Sequence, residues 1–251
     1  KTMTESIYIK HINEERIKFY KEFFKKNNFV LCKDVLTEKG IEILKQNIIF
    51  QSDVSDKSQF CRRMFTVEDD KNDILLQFQK DTLFFFQKIL GEEYSDTYLF
   101  AMEYVKDSHL TPHLDLISNG VSATVCYEAD KKYPIFVGKK YYTNNSINRI
   151  DIQITEEEKQ NSFLIDADVG DIAMFNGRNY LHWRDKAEDD VSYKAVLTHY
   201  WKPFDWIDKE KLEENYIEGE HLYNESYHER YPSLKYKILK EKNSEAETKD
   251  N

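Results

Sequence analysis

The chain has 251 residues, of which 40% are hydrophobic and 14% aromatic, so it can bury a substantial core as one domain without disulfide staples. Its formal net charge of −10 argues against a general affinity for nucleic acid or for anionic membranes. No apolar run approaches the ~20 residues that cross a bilayer, and the N-terminal residues show no signal-peptide pattern. We therefore expect a cytoplasmic protein without nucleic-acid or membrane partners, whose oligomeric state the sequence leaves open.

The three cysteines, Cys32, Cys61 and Cys126, are far apart and form no Cys-x-x-Cys pair. An odd number of widely spaced cysteines argues against a disulfide framework and against a thiolate zinc site. We expect buried free thiols in a reducing compartment.

The first 97 residues carry helical patterns. Apolar residues recur at helical spacing after Asn13, and Thr37 is a capping residue for a second helix. The pattern predicts helices over 13–27, 37–48 and 73–90, with a short strand within 29–36. The third helix is apolar on nearly all sides, so we expect it to pack against a sheet.

From residue 98 the pattern changes to short β-branched and aromatic runs separated by turn signals. Seven or eight such runs without intervening helices predict a sandwich or a barrel. After Pro203 the pattern is helical again and ends in a charged tail. The sequence thus predicts one α+β domain over 1–251, with a helical lead-in (1–97), a β core (98–202) and a C-terminal helical extension and tail (203–251).

One constellation in the β core points to metal chemistry. His113 and Asp115 are two residues apart, and such residues of a strand share a face. Pro112 before them favours an edge or the start of a strand. His182 lies on a later strand, after a glycine-containing turn. Two histidines and one carboxylate that leave other metal positions open are typical of non-haem Fe(II) oxygenases.

Each part of this constellation is weak alone, since a His-x-Asp pair occurs by chance in loops and a single buried histidine is commonly a core residue. The joint pattern is specific. Residues 98–201 resemble the 2-oxoglutarate/Fe(II)-dependent oxygenase superfamily through His113 and Asp115, the segment GDIAMF at 170–175, His182, and the runs LHWRD and YKAVLTHYW.

The resemblance implies a jelly-roll core (a double-stranded β-helix) and a set of cofactors and ligands. Fe(II) and 2-oxoglutarate are the implied cofactors, and His113, Asp115 and His182 are the implied metal ligands and catalytic residues. The implied reaction is hydroxylation of a C–H bond with O2, releasing succinate and CO2. A small molecule such as an amino acid or natural-product intermediate is the expected substrate, and a protein side chain remains an alternative.

The distal carboxylate of 2-oxoglutarate requires a cation. Relatives usually place it on the strand after the distal histidine, which points to Lys194. Arg184 is the competitor, although it lies only two residues from His182 and has Asp185 or the substrate as alternative partners.

Other residues are candidates on weaker grounds. Further contacts to 2-oxoglutarate are expected from Tyr98, Tyr104 and Thr124, although core packing is the alternative for any tyrosine. Arg62 and Arg63 are candidates for recognising an anionic substrate, with a solvated surface pair as the alternative.

Rival functions remain open at this point. A cupin-type metal-dependent dioxygenase or isomerase would hold a metal without using 2-oxoglutarate. A non-catalytic jelly-roll binding protein would need no metal. Halogenases of the resembled superfamily lack the carboxylate ligand, so Asp115 favours hydroxylation over halogenation.

Overall fold

The structure is a computed structural model and describes residues 6–50, 62–65, 73–115, 120–142, 152–188 and 190–201. Its helices are α1 (Glu14–Asn27), α2 (Glu38–Asn47), α3 (Asp73–Leu90) and α4 (Glu156–Gln160). Its strands are β1 (Phe29–Cys32), β2 (Arg62–Phe65), β3 (Ser95–Tyr104), β4 (Leu110–His113), β5 (Val121–Ala129), β6 (Ile135–Tyr141), β7 (Phe163–Ile165), β8 (Ile172–Phe175), β9 (Tyr180–Arg184) and β10 (Tyr193–Trp201).

The three helices of the lead-in lie where the pattern predicts them. Asn13 caps α1 by accepting a hydrogen bond from the N–H of Arg16, and Thr37 caps α2 by accepting one from Gly40. The short α4, which the sequence did not predict, begins with a capping box between Thr155 and Glu158. None of the described helices is long and apolar enough to cross a membrane.

Two antiparallel sheets form the predicted jelly roll. A six-stranded sheet has the order β1-β8-β5-β10-β3-β2, and a four-stranded sheet has the order β4-β9-β6-β7. The six-stranded sheet is bounded by β1 and β2, two strands from the lead-in, so the β core is not confined to 98–202. Each pairs along one side with a strand of the core, β1 with β8 and β2 with β3. The proposed C-terminal extension (203–251) and Cys61 lie outside the described residues.

The six-stranded sheet has two buried faces. Its outer face packs under α1, α2 and α3 in the largest hydrophobic cluster, to which Val125, Val196 and Tyr200 contribute. The ring of Tyr200 lies 4.3 Å from the ring of Phe86 in α3. A second cluster joins its inner face to the four-stranded sheet, through Ala173 and Phe175 of β8 and Leu110, Ile135, Val137 and Ile165. Because side chains alternate along a strand, the sequence position decides which of these two layers each residue enters.

Asp171 joins the lead-in to the turn before β8. Its buried carboxylate accepts hydrogen bonds from the backbone N–H of Asp34 at 2.7 Å and of Asp168 at 3.1 Å. Lys33 Nζ lies 3.6 Å from the same carboxylate. These bonds fix the segment between β1 and α2 against the turn that leads into β8.

We expect Asp171→Asn to lower the free energy of unfolding by about 1–3 kcal/mol, because one N–H loses its buried acceptor. Denaturant unfolding of the whole chain measures the change. The control is Asp168→Asn. The Asp168 side chain is 52% exposed, and its ion pair with Lys33 spans 3.5 Å. An exposed ion pair of this kind contributes about 0–1 kcal/mol to stability. Equal losses in the two variants would contradict the role assigned to Asp171.

Candidate metal centre

Three potential ligands meet between the sheets. One donor atom from each of His113, Asp115 and His182 lies within 4.8 Å of the other two. Asp115 Oδ1 is 3.6 Å from His113 Nε2 and 3.4 Å from His182 Nε2. His113 and His182 are direct partners in the antiparallel pairing of β4 with β9, and β4 is an edge strand, as Pro112 predicts. Asp115 itself follows the end of β4.

Hydrogen bonds orient both imidazoles. The Nδ1 atom of His113 lies 2.8 Å from the carbonyl oxygen of Thr111, and that of His182 lies 3.2 Å from the carbonyl oxygen of Tyr180. A ring nitrogen that faces a carbonyl oxygen must carry the proton, which leaves the Nε2 lone pair free. Second partners of this kind are the usual way to fix a histidine for metal binding.

The electrostatics favour the protonation states that a metal requires. Burial raises the pKa of the Asp115 carboxyl, but its interactions with His182 and His113 outweigh burial, so the pKa lies well below its usual value. Burial and the neighbouring His182 lower the pKa of His113. At neutral pH the site therefore holds a carboxylate and a neutral His113, as metal coordination needs.

The two donor separations that involve Asp115 fit a single ion. Ligand atoms that each lie ~2.0–2.2 Å from one metal ion are separated by about 3–3.6 Å, in agreement with the 3.4 and 3.6 Å measured here. The ligand set of two imidazoles and one carboxylate is the one used by non-haem Fe(II) oxygenases. His182 and Asp115 are only 3% and 8% exposed, so the site is shielded from bulk water.

Sequence reasoning missed the residues that surround Asp115. Ser122 of β5 donates a hydrogen bond to Asp115 Oδ2, and the carbonyl oxygen of Gly177 accepts the N–H of Asp115 at 2.8 Å. His199 of β10 is buried, stacks on Phe100 with ring centroids 6.2 Å apart, and helps to lower the pKa of Asp115. The only available signal was the alternation of small residues in VSATVC, which places Ser122 on one face with Thr124 and Cys126.

Arg184 lies on the same face of β9 as His182, two residues further along the strand. It is 3% exposed, and its guanidinium carbon lies 5.0, 5.2 and 4.8 Å from the ring centres of Tyr104, Tyr133 and Tyr193. Nη1 donates to the carbonyl oxygen of Tyr133, and Nε has no hydrogen-bond partner. Burial lowers the pKa of the Arg184 guanidinium, but the three phenol groups raise it by more. Arg184 therefore remains a cation.

The structure does not bring Lys194 to the metal centre. Lys194 shares a face of β10 with Val196 and Tyr200, which belong to the cluster beneath the helices. Its Nζ lies 2.9 Å from Glu128 Oε1, which pairs it with a carboxylate of this chain. The residue of β10 that reaches Arg184 is its neighbour Tyr193.

The remaining candidate residues divide into three groups. Tyr104 contacts Arg184, and Thr124 is buried on the face of β5 that carries Ser122. The backbones of Arg62 and Arg63 belong to β2 and that of Tyr98 to β3, but their side chains lie outside the described part of the structure. The described cysteines, Cys32 and Cys126, are free and buried as expected, and burial raises the pKa of Cys126 to about 11.

Comparisons with known proteins establish the fold. No protein-family model matches the sequence, and no curated protein matches it. HygX from Streptomyces hygroscopicus, solved with nickel and 2-oxoglutarate, is 12% identical over 77% of this chain and 89% of its own, with a TM-score of 0.54. A 2OG-Fe(II) oxygenase family oxidoreductase from Burkholderia pseudomallei is 13% identical over 78% and 96%, with a TM-score of 0.53.

SnoN, a non-haem α-ketoglutarate-dependent epimerase from nogalamycin biosynthesis, is 12% identical over 76% of this chain and 85% of its own, with a TM-score of 0.51. The chain therefore has the jelly-roll fold of the 2-oxoglutarate/Fe(II) oxygenases. The resemblance in its sequence is confirmed at the level of the fold, and the three residues that carry it lie together inside that fold.

We expect His182→Ala to remove most affinity for a divalent metal ion, because a facial set of three ligands loses one imidazole. Anaerobic titration of the whole chain with Fe(II), or with Co(II) as a substitute, measures the affinity. The control is His11→Ala, since His11 is exposed and apart from the cluster. Stoichiometric binding that survives in a His113→Ala/His182→Ala double variant would show that the metal binds elsewhere.

Proposed function

We propose that the protein is a mononuclear non-haem Fe(II), 2-oxoglutarate-dependent oxygenase that hydroxylates a C–H bond of a small molecule and releases succinate and CO2. The observation that carries this proposal is the cluster of half-buried His113 with buried Asp115 and His182 between the sheets of a jelly roll. The HygX structures hold nickel with 2-oxoglutarate, or iron, in the same fold.

The three ligands have separate tasks in this proposal. His113 and His182 present their Nε2 atoms, and the backbone carbonyl groups of Thr111 and Tyr180 hold the two rings in place. Asp115 supplies the negative charge that favours higher oxidation states of the ion. When bound, Fe(II) supplies the activation of O2 at the positions that the three ligands leave open.

Arg184 is the anchor that we assign to the distal carboxylate of 2-oxoglutarate. A strand rises ~3.3 Å per residue, so Arg184 begins roughly 7 Å beyond His182 on the same inward face. A 2-oxo acid that chelates the metal at one end would direct its other carboxylate along this face. The assignment replaces Lys194, which faces the helices and is paired with Glu128.

The surroundings of Arg184 support an anionic ligand. Among the described residues, no carboxylate forms a salt bridge with it, and its contacts are three phenol rings and a backbone carbonyl group. Asp185, the acidic neighbour in sequence, pairs with Lys159 at 3.2 Å instead. A buried cation without a counter-ion is costly, and its Nε still lacks an acceptor. A ligand carboxylate would remove both costs by charge-assisted hydrogen bonds.

A small-molecule substrate is supported by the neighbours of the fold. One HygX structure holds hygromycin B together with nickel and 2-oxoglutarate, and SnoN acts in nogalamycin biosynthesis. The presence of Asp115 supports hydroxylation rather than halogenation, because halide binding uses the position that a carboxylate ligand occupies here.

We expect Asp115→Ala to abolish the formation of succinate from 2-oxoglutarate. Asp115→Glu should also lose most activity, since an added methylene moves the carboxylate by more than the ~0.2 Å tolerance of metal–ligand distances. Succinate release with Fe(II) and O2 is the measurement, and Asp168→Ala is the control at an exposed carboxylate. Near-normal turnover in Asp115→Ala would show that this carboxylate is not a ligand.

We expect Arg184→Met to raise the KM for 2-oxoglutarate strongly and to leave metal affinity nearly unchanged. The loss of a buried charged partner costs about 2–5 kcal/mol, which corresponds to a roughly 30-fold or larger change in affinity. Methionine keeps much of the packing inside the tyrosine rings.

Lys194→Met is the matched control variant. It removes a cation on the face of β10 that points away from Arg184 and Tyr193. It should leave the KM for 2-oxoglutarate unchanged. A defect in Lys194→Met alone would restore Lys194 as the anchor. If neither variant changes 2-oxoglutarate binding while the metal is retained, the cupin-type alternative is favoured.

A further inference from the structure

A glycine faces the Asp115 carboxylate at close range. Gly177 lies in the turn between β8 and β9, and a Cβ atom built there would be 2.1 Å from Asp115 Oδ2. The same Cβ would lie 3.0 Å from Asp115 Cγ and 3.0 Å from His182 Cε1. Gly177 is not among the positive-φ glycines of the described residues, so its backbone conformation is open to other residues. The space taken by the carboxylate, and not the turn, requires glycine here.

Ser122, which belongs to the six-stranded sheet, binds the same carboxylate oxygen. It is buried on β5, and its hydroxyl group donates to Asp115 Oδ2. The pairing of Ser122 with Phe175, at the end of β8, brings β5 beside the turn that contains Gly177. Gly177 adds a second constraint, because its carbonyl oxygen accepts the N–H of Asp115 at 2.8 Å.

The two oxygens of Asp115 therefore have different surroundings. Oδ2 faces Ser122 and the bare Cα of Gly177. Oδ1 is the oxygen that lies 3.6 Å from His113 Nε2 and 3.4 Å from His182 Nε2. Rotation of the carboxylate to present both oxygens to one ion would break the hydrogen bond from Ser122.

We propose that Gly177 and Ser122 form a carboxylate cradle that presents Asp115 to the metal through Oδ1 alone. The inference rests on the proposed metal centre and adds two positioning residues to it. A carboxylate bound through one oxygen occupies one coordination position, whereas a chelating carboxylate occupies two. The cradle thereby keeps open the positions that a chelating 2-oxo acid and O2 need together.

Co(II) binding to the whole chain tests the cradle without depending on turnover. Gly177→Ala places a methyl group where Oδ2 now lies, so the carboxylate must turn or retreat. We expect Co(II) affinity to fall about 10–100-fold, as for other changes to groups that orient a ligand. The visible absorption of bound Co(II) should change as well, because the carboxylate reaches the ion in a different mode.

Gly138→Ala is the matched control. Gly138 lies on β6, and an added Cβ would meet its nearest atoms at 3.5–3.9 Å, which is ordinary contact. We expect Gly138→Ala to keep the wild-type Co(II) affinity and spectrum. A loss of Co(II) affinity of equal size in both variants would overturn the proposal, because the effect would then be general.

Ser122→Ala provides a second variant that removes the hydroxyl group and adds no bulk, and it carries the test if Gly177→Ala does not fold. It should weaken Co(II) binding and alter the spectrum in the same sense as Gly177→Ala. Wild-type affinity and spectrum in Ser122→Ala would overturn the cradle, as would Gly177→Ala binding Co(II) like the wild type.

Failure of the cradle and failure of the proposed function give different results. A wild-type chain that binds Co(II) through His182 but binds no 2-oxoglutarate contradicts the proposed co-substrate and leaves the cradle to be judged by its variants. A wild-type chain that binds Co(II) and 2-oxoglutarate, with Gly177→Ala and Ser122→Ala both binding Co(II) like the wild type, contradicts the cradle alone. A wild-type chain that takes up no Co(II) overturns both.

Discussion

The burial of the Asp115 carboxylate is the constraint on which the rest of the site depends. An anion that is 8% exposed is tolerated only when its neighbours replace the lost water. Here the two imidazoles, the hydroxyl group of Ser122 and the close approach of Gly177 supply that environment. These neighbours come from both sheets, so the carboxylate is in place only when the jelly roll has closed. The same surroundings keep it ionised, so it is able to bind a cation, which a neutral carboxylic acid in a core would not do.

A second buried charge, of opposite sign, lies further along the same interior. The guanidinium of Arg184 is surrounded by three tyrosine rings, whereas the carboxylate of Asp115 lies against His113 and His182. An interior with an ionised carboxylate at one end and a cation that has no counter-ion among the described residues at the other is unfavourable when empty. It becomes favourable when a cation binds near Asp115 and an anion binds near Arg184. A metal ion chelated by a dicarboxylic acid has this distribution of charge.

The sequence predicted the three lead-in helices and a β core from local periodicity, and it indicated the jelly roll and the three candidate ligands through a motif that resembles a known family. Alternation along the strand gives β10 two faces, but the sequence could not say which face points inward. Both faces of β10 are buried, one against the helices and one against the four-stranded sheet, so hydrophobicity does not distinguish them. Lys194 was therefore favoured over Arg184 on spacing alone. Gly177 and Ser122 were missed because their contact with Asp115 joins segments that are remote in sequence.

The position of Arg184 has a mechanical consequence for the choice of co-substrate. An anchor on β10 would be set relative to the metal by the packing of one sheet against the other. Arg184 instead shares β9 with His182, so the distance between these two residues is fixed mainly by the rise of one strand. Tyr193, at the inward position of β10, packs on the guanidinium and limits its movement. The spacing between His182 and Arg184 is fixed, and the ring of Tyr193 restricts the guanidinium. A 2-oxo acid that is longer or shorter than this spacing would therefore fit poorly. In the proposed function, the selectivity for the co-substrate would therefore depend mainly on the geometry of β9.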